Sequence, residues 1–199
     1  HERHCGEDGI ITSETLKQDD PGQMDDIFEV QTEIASHVID QLGVTLLGNE
    51  RDTLAKAPTE NMEAYQLYLQ TQDLKTANWD DYDRRHVALL EEAVRLDPGF
   101  LLAWSKLSQH HSAWYNNGLD KTEARLAKAR AAMQQAEAID PDHPQSHITR
   151  GVYHYFGFRD YDQALEEFLA ANRLVPNDVQ TMEMIAYIFR RQGKLEEHL

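Results

Sequence analysis

The stretch "YDQALEEFLAANRLVPND", residues 161–178, decides how the chain is organised. Ala164, Phe168 and Ala171 are spaced so that a small, a large and a small side chain share one face of a helix. Alanine lets a neighbouring helix come close, and phenylalanine fills the space between. Pro176 stops the helix, because proline lacks an amide donor and bars the residue before it from helical geometry. The same ending occurs twice upstream, in "ALLEEAVRLDP" at 88–98 and "AAMQQAEAIDP" at 131–141. Aligned on Pro98, Pro141 and Pro176, alanine stands five residues earlier each time (Ala93, Ala136, Ala171). Three residues before those come Leu90, Met133 and Phe168, all large and apolar. Four earlier again come His86, Ala129 and Ala164, so the first copy departs from the pattern. The prolines lie 43 and 35 residues apart.

Further helical runs accompany these: "LLAWSKLSQHHSAWY" at 101–115, "SHITRGVYHYF" at 146–156 and "TMEMIAYIFRR" at 181–191. A helix pair cannot bury its apolar face alone, so successive pairs are expected to stack into a solenoid. At these residues the chain resembles the tetratricopeptide repeat family, whose unit of about 34 residues carries a W-L-G-Y…A…F…A…P pattern. The third unit matches best, with Gly151 at the small site of its first helix, then Ala164, Phe168, Ala171 and Pro176, and one extra residue near "FGFRD". In the second unit Trp104, Leu107, Ser108 and His111 stand at the tryptophan, leucine, glycine and tyrosine places. "NNGLDKTEA" adds about nine residues before its second helix. A fourth unit opens with Met182, Ile185, Ala186 and Phe189, turns at Gly193 and stops inside its second helix. The resemblance covers residues 61–199, about three and a half units, and implies an all-α superhelix of antiparallel helix pairs.

In this family first helices line a concave face that takes a helix or an extended peptide. Carried onto this sequence, that points inward Lys106, Gln109 and Ala113 in the second unit, Thr149 and Tyr153 in the third, and Glu183, Tyr187 and Arg190 in the fourth. The family's lysine–asparagine clamp for a peptide carboxylate is not reproduced; Lys106 and Gln109 are a partial echo of it.

The first sixty residues read differently. "MDDIFEVQTEIASHVIDQLGVTLL" places Ile27, Val30, Ile34, Val38 and Leu42 on one helical face, with Asp26 and Glu29 as a capping box and Gly43 as a stop. "GNERDTLAKAP" allows a shorter helix ended by Pro58. Before Asp25, "GEDG" reads as a turn and "IITSETL" as a short strand. The run from "DDIFEVQTEIASHVIDQLGVTL" to "PTENMEAYQLYL" resembles the junction between a TolB-like α/β domain and a carboxy-terminal repeat array in bacterial multidomain signalling proteins. In those proteins a cyclase, a protein kinase or a winged-helix DNA-binding domain often lies further upstream. The organisation implied is the tail of such a domain at 1–24, a helical connector at 25–60 and the repeat array at 61–199. The tryptophan-bearing strand and Tyr-Asp-Arg segment usual before that junction are replaced here by "IITSETLKQDDPGQM". The chain begins at His1 rather than Met and stops at Leu199 within a repeat, so it reads as a fragment of something longer.

Composition narrows the function. Net charge is −16: residues 1–60 hold 14 acidic and 4 basic residues, and the other 139 hold 21 and 15. Such a chain repels a phosphate backbone, and Arg190, Arg191 and Lys194 are too few for a nucleic-acid footprint. No apolar run approaches the ~20 residues of a membrane span, and no secretory signal opens the chain. Cys5 is the only cysteine, so no internal disulfide forms and the compartment stays open, the cytoplasm being favoured over the periplasm.

Chemistry is sparse. There is no P-loop, G-x-G-x-x-G, H-E-x-x-H or G-x-S-x-G, and neither a catalytic residue nor a cofactor is assigned. "HERHC" reads as chance ligands at a terminus, since zinc needs ~3–4 preorganised ligands. His110 and His111 are adjacent and point apart on a helix, and Pro144 separates His143 from His147, so no metal site is assigned either. The acid pairs Glu91–Glu92, Glu166–Glu167 and Glu196–Glu197 read as solvated outer faces. Trp104 reads as core; Trp114 and Tyr153 read equally as core or as an aromatic lining.

What remains is a non-catalytic scaffold for a protein or peptide partner, the regulatory or sensory part of a larger protein. The alternatives are a self-association module and an auxiliary domain of a transferase. The expected structure has seven or more helices, with strand confined to residues 1–24 and 43–47. The insertion should lengthen the second unit's second helix, capped by Asp120 or Thr122, until it projects a turn beyond its neighbours. The last helix exposes an apolar face on which two copies should pair.

Overall fold

The structure is a computed structural model describing residues 58–75 and 78–193, with the isolated positions Val30 and Ile34. The strand expected within 1–24 and 43–47, the helices expected within 25–57 apart from Val30 and Ile34, and the last short helix from Lys194 lie outside the described residues. Among those described there are seven helices and no strand. They are α1 (Met62–Gln72), α2 (Trp79–Leu96), α3 (Leu101–Asn116), α4 (Glu123–Ile139), α5 (Pro144–Phe158), α6 (Tyr161–Leu174) and α7 (Val179–Gln192). Helices joined by short turns pack on each other, and α3 also lies against α5. The result is an all-α stack of antiparallel pairs, α1–α2, α3–α4 and α5–α6, with α7 opening the next.

Most of these boundaries have a local cause. Asn61, Asn78, Thr122, Asp160 and Asp178 precede α1, α2, α4, α6 and α7, and each side chain accepts from an amide of the first turn. The expected Thr122 cap is therefore in place; Asp120 supports it by accepting from the Thr122 hydroxyl at 2.7 Å. Pro144 sits at the first position of α5, where its missing amide costs nothing, and His143 is the capping residue. The three second helices stop alike: the amides of Asp97, Asp140 and Val175 reach back to the carbonyls of Ala93, Ala136 and Ala171, and a proline follows. The extra residue at "FGFRD" is absorbed by α5 running to Phe158 and by Arg159, which closes the helix in the left-handed region at φ 56°. Of the inserted stretch, residues 117–122 form the turn before α4 and only Glu123 and Ala124 enter the helix. With 17 residues, against 18 in α2 and 14 in α6, α4 is not lengthened a full turn beyond its neighbours, contrary to the expectation from sequence.

The repeat positions do what their sizes dictate. Ala93, Ala129, Ala136, Ala164 and Ala171 are buried, as are Leu90 and Phe168, while Met133 is only half-buried. A Cβ on Gly151 would stand 2.9 Å from two atoms of the Phe168 ring, so that site on α5 must be small for α6 to approach. Two apolar clusters result. One gathers Ala64, Leu90, Ala93, Val94, Phe100, Ala103, Leu107 and Ala132 from α1 to α4. The other gathers Ile148, Val152, Ala164, Phe168, Ala171, Met184 and Ile188 from α5 to α7. Each large apolar side chain taken out of water contributes about 1.5–3 kcal/mol. Where α3 meets α4 and α5, the buried residues are largely hydroxyl-bearing: Ser105, Ser108 and Ser112 on α3, Ser146 and Thr149 on α5. Ser108 donates to the Ala129 carbonyl at 2.8 Å, which is possible only because both residues are small.

Candidate functional site

The residues expected on the inner face divide by helix. On α3, Lys106, Gln109 and Ala113 are half-buried, and burial pushes the Lys106 ammonium below its ordinary value. Gln109 reaches across to α5 and donates to the Thr149 hydroxyl at 3.2 Å. Thr149 itself is fully buried and donates to the Gln145 carbonyl at 2.7 Å. Tyr153 is also buried; its hydroxyl accepts from Arg130 of α4 at 2.8 Å and its ring meets Phe158 edge-on. Thr149 and Tyr153 are thus engaged within the stack and expose little of their side chains. On α7, by contrast, Glu183, Tyr187 and Arg190 are exposed, with the Arg190 guanidinium 5.2 Å from the Tyr187 ring centre. The accessible part of the set is therefore Lys106, Gln109, Glu183, Tyr187 and Arg190.

A polar cluster that spacing did not single out lies between α2, α3 and α4. Arg125 donates through both terminal nitrogens to Asp83, at 2.8 and 3.0 Å, and through Nε to Asp120 at 2.8 Å. His110 Nε2 lies 2.7 Å from Asp83 Oδ1. Burial raises the Asp83 carboxyl, but the hydrogen bonds from Arg125 and His110 outweigh it and leave the group below its ordinary value. His86, at the site where alanine is expected, stacks on His110 with ring centres 4.2 Å apart; His110 stacks on Trp114 at 4.3 Å. Tyr82 covers both His86 and Trp114. Trp114 is thus core rather than lining. The signal for this cluster was present in the sequence as His86 breaking the small–large–small rule and as paired His110–His111, but only the fold brings Asp83 and Arg125 to them.

What could bind here follows from the side chains. Among the described residues no group of three or more histidine, cysteine or acidic side chains is placed to hold a metal ion. No described helix is long and apolar enough to cross a membrane. A groove of about 400 Å³ runs between α2, α3 and α4, floored by Val94, Trp104, Leu107 and Ala132, with Glu91 and Lys128 of opposite sign on its rim. It shares no residue with the inner-face set.

No family model matches the chain, and no characterised protein matches it in sequence. Among solved structures the chain is similar to the first TPR of Spaghetti (RPAP3) bound to an HSP90 peptide, SRMEEVD. The identity is 13% and the TM-score 0.48, over 66% of this chain and 96% of that one. It is likewise similar to the first TPR domain of human RPAP3 solved by NMR, at 13% identity and a TM-score of 0.49, over 72% of this chain and 100% of that one. Neither likeness is close enough to carry residue roles across.

Proposed function

We propose that this chain is a non-catalytic tetratricopeptide-type scaffold that holds a protein or peptide partner against α3, α5 and α7. The observation that carries the reading is the stack itself: α3 lies directly against α5, and accessible polar and aromatic side chains (Lys106, Gln109, Tyr187, Arg190) follow the first helices. The finer reading makes it the regulatory part of a bacterial signalling protein, residues 1–24 ending a TolB-like domain, 25–60 connecting and 61–199 forming the array. A photo-crosslinking residue at Tyr187 or Lys106 should trap one discrete partner, whereas the same residue at Ala127 or Gln134 on the exposed side of α4 should not. Equal trapping from both sets would overturn the assignment of the face.

Self-association is the second reading, favoured by one observation. Val179 and Met182 on α7 are 67% and 54% exposed, a contiguous apolar edge at the end of the described stack. Light scattering against concentration would show a dimer that Met182→Lys abolishes. A monomer throughout the range removes this reading and leaves the first untouched.

A further inference from the structure

The cluster between the first and second helix pairs holds more imidazoles than its carboxylates could balance if all were protonated. His86, His110 and His111 are all buried, and the first two lie face to face with an interplanar angle of 16°. The facing charges come from three helices and one turn: Asp83 on α2, Lys106 on α3, Arg125 and Lys128 on α4, and Asp120 before α4. Glu91 and Arg95 of α2 stand outside the cluster, on the groove that His111 also lines. Within the cluster Asp83 already accepts from His110 and twice from Arg125, and Asp120 accepts from Thr122 and Arg125. His111 Nδ1 lies 2.9 Å from Arg125 Nη1. Arginine is always a donor, so that nitrogen must present its lone pair and His111 must carry its single proton on Nε2. A proton on Nδ1 would set two N–H groups head to head. His86 Nδ1 is buried with no hydrogen-bond partner among the described residues. A second proton on this ring would make it a cation stacked on His110 beside Lys106, with no free carboxylate to receive it.

We propose that the joint between α1–α2 and α3–α4 is an acid-sensitive hinge, in which protonation of the buried imidazole stack releases the first helix pair while α5–α7 keep their own core. The cluster tolerates one added proton, on His110, whose Nε2 already faces the Asp83 carboxylate, and not a second. The charge balance of the site agrees. Burial, then the cations around them, push His86 and His111 down to about 3, and burial lowers His110 despite Asp83. Release would alter how much of the stack is held rigid as one surface, so mild acid acts as a conformational signal independent of any ligand.

The test is amide hydrogen exchange on the whole chain at pH 7.0 and 5.0, corrected for intrinsic rates, paired with urea midpoints. Between these values carboxylates stay largely ionised and imidazoles titrate. The proposal expects α1–α2 to lose protection at least tenfold more than α5–α7, and the urea midpoint to fall with pH. His86→Ala installs the residue that Ala129 and Ala164 supply in the other units, and it should reduce the fall by about half. If that variant does not fold, His111→Gln serves, because an amide oxygen can accept from Arg125 and carries no titrating base. Uniform loss of protection along the chain, or an unchanged pH slope in the folded variant, overturns the hinge.

Discussion

Gly151 and Gly157 offer a test in which two physical effects of similar size oppose each other within one helix. Both lie in α5, where replacing glycine by alanine in a helix interior gains up to about 1 kcal/mol from backbone entropy. A Cβ at Gly151 meets three atoms of the Phe168 ring, at 2.9, 2.9 and 3.1 Å. That ring is fully buried among Ile148, Val152, Ala164, Ala171, Met184 and Ile188 and cannot turn aside, so several tenths of an ångström must come from moving α6. Overpacking of this kind costs about 1–3 kcal/mol, and it outweighs the entropy gain. Gly151→Ala should therefore destabilise by about 1 kcal/mol. A Cβ at Gly157 also meets an atom at 2.9 Å, but it is only the Cδ1 end of half-buried Leu126, which can rotate at a cost of about 0.5–1 kcal/mol. Gly157→Ala should be neutral or slightly stabilising. Urea unfolding followed by far-ultraviolet circular dichroism would read both midpoints. A Gly151→Ala midpoint at or above that of Gly157→Ala would refute the reasoning. The mechanism has its own check: combining Gly151→Ala with Phe168→Leu should show coupling of at least about 0.5 kcal/mol, because the smaller side chain yields to the methyl.

Phe168→Ala should open a cavity in the second cluster and lower stability by about 3–5 kcal/mol; a thermal melt that barely moves would place Phe168 outside the core. Arg125→Ala should cost about 3 kcal/mol or more, since it leaves Asp83 half-desolvated without its guanidinium and His111 Nδ1 without a donor; Asp83→Asn in the same background should recover part of the loss. Stability should fall on acidification below about pH 6.5. His86 and His111 are held neutral when folded and titrate near 6.5 when unfolded, so the unfolded chain binds more protons between about 3 and 6.5. At pH 5.5 the two groups together would account for up to about 3 kcal/mol, and a flat profile from pH 7 to 5.5 would contradict this.

The helical stack was legible because its signals are local. Offsets of four and seven residues fix a helical face, and proline fixes the end, so Ala164, Phe168, Ala171 and Pro176 carry their own interpretation. Two kinds of information were not local. The depth of a side chain depends on what lies over it: Thr149 is covered by Gln109 forty residues away, and Tyr153 by Arg130 of the preceding helix. Met133 occupies a core position in the pattern and yet stays half-buried. The charged cluster was hidden for the same reason. Asp83 and Arg125 are 42 residues apart, and nothing near either of them announces the other.

That separation has a consequence for how the chain is made. Arg125–Asp83, Gln109–Thr149 and Thr59–Asp97 span 42, 40 and 38 residues, about one repeat each. Synthesis at about 5–20 residues per second delivers such a length in roughly 2–8 s. A helix pair emerging from the ribosome therefore waits only seconds before the next pair arrives to cover it, and none of these three ties requires the distant end of the protein to exist first. Assembly can proceed in the order of translation, with the cluster of α1–α4 closing before that of α5–α7 has been made. The open flank at any moment is a single helix face, which limits the apolar surface that a chaperone or a neighbouring nascent chain could seize.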